Sequence, residues 1–467
     1  MKQIDVLPDD VLLGIFDFYT ITDSSYEGVP SDESKKAIEA WQVLVHVCRR
    51  WRSLVLGSPR RLNLRLYCTY QTPARDTLDV WPALPLIVDS RGITMGLSSD
   101  THDIIAALGQ SHRICQVDFY FADWLLEEVL AAMWVPFPEL TNLRLSSLGT
   151  RPPTIPDSFL GGSAPPRLQY FKLRGIPFPG LPKLLLSATH LVELRLLSIP
   201  HSGYISPKAV VALISALSSL RILSLGFQSH QSRPASGCES GGQPRQKRFI
   251  LPALRRLDFR GVTEYLEDLV TRIDTPQLDE MHIAFFSQID FDFPQLAQFI
   301  NRLPTLRERD KAHVQFNDYF ASVVLLAKSR TLKIGILGRE PDRQLSSVAQ
   351  VCNSPMHPLS AVEDLYIEYR YRRLIWKNHT IENTLWLQLL LPYTAVKNLY
   401  LSNEFAPGIA AALQDLVGGT IAEVLPSLQN IFVERLEPSG LFQENIGQFV
   451  AARQLSNRPV ATVFWDI

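Results

Sequence analysis

Cysteine is scarce and follows no recognisable pattern. The 467 residues carry five, Cys48, Cys68, Cys115, Cys238 and Cys352, with no Cys-x-x-Cys step and no neighbouring Cys/His set at metal spacing. A disulfide framework and a metal site are therefore not expected, and a reducing compartment, cytoplasmic or nuclear, fits best. A dominant charge sign is also missing: formal net charge is -1, so nothing global favours nucleic acid or an anionic membrane as partner. No window approaches ~20 uninterrupted apolar residues and no secretory leader pattern opens the chain, which predicts a soluble protein. Asn378-His379-Thr380 matches a glycosylation sequon, which in such a chain is read as chance. Phosphate-cradling Gly-rich loops, Gly-x-Ser-x-Gly elbows and His-Glu-x-x-His pairs do not occur, and the ten histidines are scattered. The expectation is a non-catalytic protein with no catalytic residue and no cofactor.

What is present begins with hydrophobic content, 46% against 20% charged residues, enough for several ordinary domains or one long repeat array. Near the amino terminus runs Leu7-Pro8-Asp9-Asp10-Val11-Leu12-Leu13-Gly14-Ile15-Phe16. Pro8 suits a helix start, where no amide hydrogen is needed, and Asp9 and Asp10 favour the positive helix end. Leu12, Ile15, Phe16 and Tyr19 then recur at helical spacing and make an apolar stripe. A second stripe, Trp41, Leu44, Val47/Cys48, Trp51 and Val55, is expected on one further helix that Ser58-Pro59 stops. Between them, Thr20 to Ala40 is rich in Gly, Pro, Ser and charge, and reads as an inserted loop.

With Val47-Cys48-Arg49-Arg50-Trp51-Arg52, the segment resembles the F-box, the helical module by which substrate receptors attach to the Skp-type adaptor of a cullin-RING ubiquitin ligase. The resemblance covers roughly residues 4 to 66 and departs from the family in its long 20–40 linker and in Asp10 and Val11 where Glu and Leu are commoner. It implies a helical module over 1–66 in which Leu7, Pro8, Val11, Leu12, Ile15, Phe16, Val47, Cys48 and Trp51 contact the adaptor or hold the module together.

From residue 67 to 467 one pattern keeps returning: apolar, two spacers, apolar, one spacer, apolar. Instances start at Ile114, Leu140, Leu168, Leu191, Leu220, Leu254, Leu278, Val362, Val396 and Leu428, mostly 23 to 34 residues apart. This is a leucine-rich-repeat signature of irregular period. Helical stripes such as Val210/Leu213/Ile214/Leu217 and Leu296/Phe299/Ile300/Leu303 lie between the strand motifs. The expected fold class is α/β: a helical head followed by a solenoid with a parallel concave sheet and convex helices, because one such unit cannot bury its apolar side alone. Over 284–361 the pattern weakens, with Leu306 and the Leu332/Ile334/Ile336 alternation as candidates for imperfect strands. Residues 229–248 have almost no apolar content and end in Arg245, Lys247 and Arg248, which reads as a disordered loop.

Function would then sit on the alternate strand residues, which face away from the core. Arg144, Lys172, Arg174, Arg195, Arg256 and Arg260 are the candidate target-binding residues, expected to gather on one basic surface that would attract an acidic or phosphorylated segment. Tyr366, Tyr400 and Phe432 mark an aromatic and acidic alternative. The favoured reading is a substrate-recognition subunit of a cullin-RING ubiquitin ligase, its partners the Skp-type adaptor, through it a cullin, and a protein target. The alternative is a leucine-rich-repeat scaffold without a role in ubiquitin transfer.

Overall fold

The structure, a computed structural model, describes residues 7–20, 41–59, 61–69, 78–90, 102–230, 248–286, 293–306, 309–328, 330–354, 359–370, 381–416, 424–434 and 440–465. The expected inserted loop, apart from Thr20, most of the 229–248 loop including Arg245 and Lys247, and the 378–380 sequon lie outside those residues. The chain divides into two compact units, Met1–Gly203 and Tyr204–Ile467.

In the first unit, helix α1 (Asp9–Thr20) packs against α2 (Trp41–Val45) and α3 (Arg49–Gly57). The single helix expected over Trp41 to Val55 is broken. Residues 46–47 form a turn, and Cys48, with extended backbone, starts α3 by accepting the Trp51 amide hydrogen on its Sγ at 3.5 Å. A thiol standing where Ser or Asp usually caps a helix is what periodicity could not reveal. Trp41 is buried and donates its indole N–H to the Arg65 carbonyl at 3.0 Å, while Phe16 lies 4.7 Å from Trp51 between ring centroids.

Six parallel strands follow in chain order: β1 (Leu66–Cys68), β2 (Leu86–Asp89), β3 (Ile114–Phe121), β4 (Asn142–Ser147), β5 (Tyr170–Arg174) and β6 (Glu193–Ile199). Helices α4 (His102–Leu108), α5 (Asp123–Ala132) and α6 (Leu181–Leu185) connect them. Strand side chains alternate as period two requires: Leu143 and Leu145, Phe171 and Leu173, Leu194 and Leu196 are buried, and the residues between them reach solvent.

The second unit repeats the scheme. Its strands include β7 (Ile222–Phe227), β9 (Arg256–Gly261), β11 (Glu280–Phe285), β15 (Asp364–Tyr369), β16 (Asn398–Leu401), β17 (Asn430–Glu434) and β18 (Ala461–Trp465), with a separate two-strand pair β8 (Phe249–Ile250) and β10 (Ile273–Asp274). Between them run α7 (Pro207–Ile214), α8 (Thr263–Arg272), α9 (Pro294–Arg302), α10 (Pro341–Asn353), α11 (Asn383–Leu390), α12 (Ala406–Gln414) and α13 (Gly440–Leu455). Helix α7 shows why the sequence folds this way. Ser206 accepts the Ala209 amide hydrogen at 3.2 Å, Pro207 occupies the first turn, and Val210, Leu213 and Ile214 are buried.

One expectation needs correcting: the sheet is not parallel throughout. The weak stretch of the repeat pattern forms a meander, β12 (Lys311–Asn317), β13 (Phe320–Ala327) and β14 (Arg330–Leu337), in which β13 runs antiparallel to both neighbours. β14 then pairs parallel with β11, and β12 parallel with β15. The cause is connection length. Two residues separate each consecutive pair, enough for a hairpin and far too few for the crossover that parallel pairing demands. Leu306 lies in a short 3-10 turn, Pro304–Leu306. Parallel strands alternating with helices make both units α/β and consistent with an LRR-like solenoid.

Candidate functional site

The head separates its apolar residues into two populations. Leu12 and Phe16 are buried at 1% and 0% exposure, so they hold the helices together. Val11, Ile15 and Val47 stand out at 41%, 48% and 56%, joined by Phe18, Tyr19 and Val43. On α1, Val11, Ile15, Phe18 and Tyr19 follow helical spacing and form an uncovered stripe beside the buried one. Leu7 and Trp51 are partly exposed and Pro8 exposed. The frame is pinned by Arg50, whose guanidinium donates to Asp9 Oδ1 at 2.6 Å and to the Leu7 carbonyl at 2.5 Å, and by Arg52 Nε, which donates to the Val45 carbonyl at 2.9 Å.

The solvent face of the first unit's sheet brings four of the six candidate target-binding residues together. Arg144, Lys172 and Arg195 are register partners on β4, β5 and β6, and Arg174 follows Lys172 along β5. Asp118 is the register partner of Arg144 on β3, its Oδ2 lying 3.6 Å from Arg144 Nη1, and Glu193 Oε1 lies 2.5 Å from Arg195 Nε. Burial, followed by the charges of Arg144 and Arg195, holds the Lys172 amine below its ordinary pKa.

Arg256 and Arg260 lie on β9 of the second unit. Arg256 lies 3.0 Å from Asp258 Oδ1 and 3.4 Å from Glu280 Oε2, so carboxylates of its own face neutralise it. Arg260 places its guanidinium carbon 5.7 Å from the Phe286 ring centre. Asp258 also accepts from Ser224 at 2.7 Å and lies 3.1 Å from His282 Nδ1. Burial alone would raise the Asp258 pKa, but the hydrogen bonds from His282, Ser224 and Arg256 bring it below the usual carboxylate value.

Sequence reading named Tyr366, Tyr400 and Phe432 and missed the fourth ring. His313, Tyr366, Tyr400 and Phe432 are register partners on β12, β15, β16 and β17, and their rings stack at 4.3, 4.2 and 4.5 Å with interplanar angles of 5°, 6° and 9°. His313 Nδ1 lies 2.9 Å from Glu368 Oε1, which also accepts from Gln315 Nε2 at 3.0 Å. Beside the rings runs a polar row: Asn430 donates to Asn398 and Asn398 to Asp364, each at 2.8 Å, and Lys311 Nζ lies 3.6 Å from Asp364 Oδ2. His313 stands beside the Val314-Gln315-Phe316 stretch, whose strand the repeat pattern did not announce.

Among the described residues no group of His, Cys, Asp and Glu is placed to hold a metal ion, and no helix is long and apolar enough to cross a membrane. No family model matches the chain, and no curated protein matches it. Among solved structures it is similar to the leucine-rich repeat-containing protein LegL7 from Legionella pneumophila, at 12% identity and a TM-score of 0.29, over 83% of this chain and 97% of that one.

Proposed function

We propose that this chain is a substrate-recognition subunit of a cullin-RING ubiquitin ligase, its head docking on the Skp-type adaptor and its repeats binding a protein target. The observation that carries the reading is the uncovered apolar stripe of α1 together with exposed Val47, on a head held together by Leu12, Phe16 and Trp41 and resembling the F-box at Leu7-Pro8 and Val47 to Arg52. Several large apolar side chains left in water on one small helical element need a partner. The chain supplies no chemical step in this reading. Ubiquitin transfer belongs to other subunits, and this one raises the effective concentration of the target near them. Cytoplasm or nucleus is the matching compartment.

The test is reconstitution of the full chain with a purified Skp-type adaptor, followed by cullin capture. Ile15→Asp and Val47→Asp should each weaken adaptor binding by at least about tenfold, since an ionised carboxylate in an apolar interface is neither solvated nor paired. Adaptor binding that ignores both substitutions contradicts the docking assignment. Adaptor capture from cells without cullin would favour a repeat scaffold outside ubiquitin transfer.

A further inference from the structure

The cations on the first unit's sheet face are arranged more closely than strand burial requires. Neighbouring strands stand about 4.8 Å apart, so Arg144, Lys172 and Arg195, one per strand in register, fall within about 10 Å of each other. Arg174, two positions beyond Lys172 on the same face, adds a fourth charge about 6.6 Å along the strand. Like charges directly opposite on a sheet face repel and destabilise it. Two carboxylates on this face engage the outer members, Asp118 with Arg144 and Glu193 with Arg195, while Asp89, the register partner of Asp118 on β2, accepts from the Tyr67 hydroxyl. Among the described residues no carboxylate forms an ion pair with Lys172 or Arg174. Tyr170 flanks Lys172 along β5, and Tyr120, the register partner of Ser146, adds an exposed ring on β3.

We propose that the solvent face of β4, β5 and β6, centred on Lys172 and Arg174, is the docking surface for an extended Asp/Glu-rich segment of the target protein. The proposal rests on the repeats being the target-binding part of the chain and is independent of the adaptor reading. Carboxylates on one side of an extended peptide recur about every 6.8 Å, which matches cations spread over two directions of the sheet. A single phosphoryl group is smaller than the span from Arg144 to Arg195 and would leave part of the cluster without a counter-charge.

The experiment uses the full chain and a short fluorescein-labelled peptide alternating Glu with Ser, read by anisotropy at low and physiological salt. A Gln-for-Glu version and a peptide with one phosphoserine in a neutral background serve as comparisons. Lys172→Glu with Arg174→Glu should weaken the Glu peptide by at least about tenfold, whereas Lys183→Glu, exposed on α6, should change it less than about twofold. Lys172→Gln with Arg174→Gln, free of new repulsion, should give an intermediate loss and covers the case in which the reversal does not fold. Adaptor binding should be untouched by all of these. The proposal is overturned if the Glu peptide binds no better than its Gln version, if Lys183→Glu costs as much as the double reversal, or if the phosphoserine peptide binds more tightly.

Discussion

Ile15 and Phe16 are sequence neighbours with opposite roles, and each makes its own prediction. Phe16 is fully buried against Trp51, so Phe16→Ala should cost about 3–5 kcal/mol of stability, read as a lowered denaturant midpoint. Ile15→Asp, half exposed on α1, should leave that midpoint within about 0.5 kcal/mol and act only on adaptor affinity. If Ile15→Asp unfolds the head, the side chain belongs to the core and its exposure has no functional meaning. Buried cysteine gives a second residue-scale prediction. Burial pushes the Cys352 thiol up to about 12, and the sulfur lies 3.3 Å from the Tyr393 hydroxyl. Alkylation at mildly alkaline pH should spare Cys352 until the chain unfolds, because the thiolate is the reacting form. Rapid labelling in the folded state, located by peptide mapping, contradicts that packing.

At the scale of elements, the stacked row makes β12, β15, β16 and β17 cooperate through side chains as well as through backbone hydrogen bonds. Tyr400 touches a ring on either side, so Tyr400→Ala should lose about 1–3 kcal/mol beyond its area burial, and a double-mutant cycle with Tyr366→Ala should show coupling. Additive effects of the two substitutions would mean the rings stack without energetic consequence. Asp258 on β9 and Glu368 on β15 link the second unit to pH. Both carboxyl pKa values lie below the usual range, Asp258 for the hydrogen bonds already given and Glu368 chiefly through His313. A folded pKa below the unfolded one stabilises the fold at pH above the unfolded value. That stability is lost as pH falls through the folded value. Urea midpoints should therefore drop on acidification below the ordinary carboxylate range, and Asp258→Asn should flatten the drop. An unchanged slope in that variant would assign the acid sensitivity elsewhere.

The same elements show what a sequence can reveal. Every strand announced by the spaced apolar triad is present, from β3 at Ile114 to β17 at Asn430, because burial on one side of a strand leaves a period-two imprint in the residues themselves. Of the meander, β14 was legible in the Leu332/Ile334/Ile336 alternation, but β13 was hidden for a related reason: Val323, Val324 and Leu325 are all buried, so it carries a continuous apolar run without the repeat's spacing, and its antiparallel course follows from turn length instead. The break between α2 and α3 was invisible because a cysteine seldom caps a helix. Of the candidate sites, the register of Arg144, Lys172 and Arg195 followed from aligning the triads. The pairing of Arg256 with Glu280 was legible in the same way, because Glu280 holds on β11 the triad position that Arg256 holds on β9.

At the scale of the whole molecule, the proposed role requires that residues at the amino terminus bring the repeats, and whatever they hold, to an adaptor. The most direct measurement is calorimetric titration of a purified Skp-type adaptor into the full chain, the Ile15→Asp variant and the Lys172→Glu/Arg174→Glu variant. The expected result is stoichiometric binding to the full chain, a loss of at least about tenfold for Ile15→Asp, and parent-like binding for the sheet-face variant. No heat of binding with the full chain, or equal affinity for all three proteins with the Ile15→Asp head still folded, would contradict it.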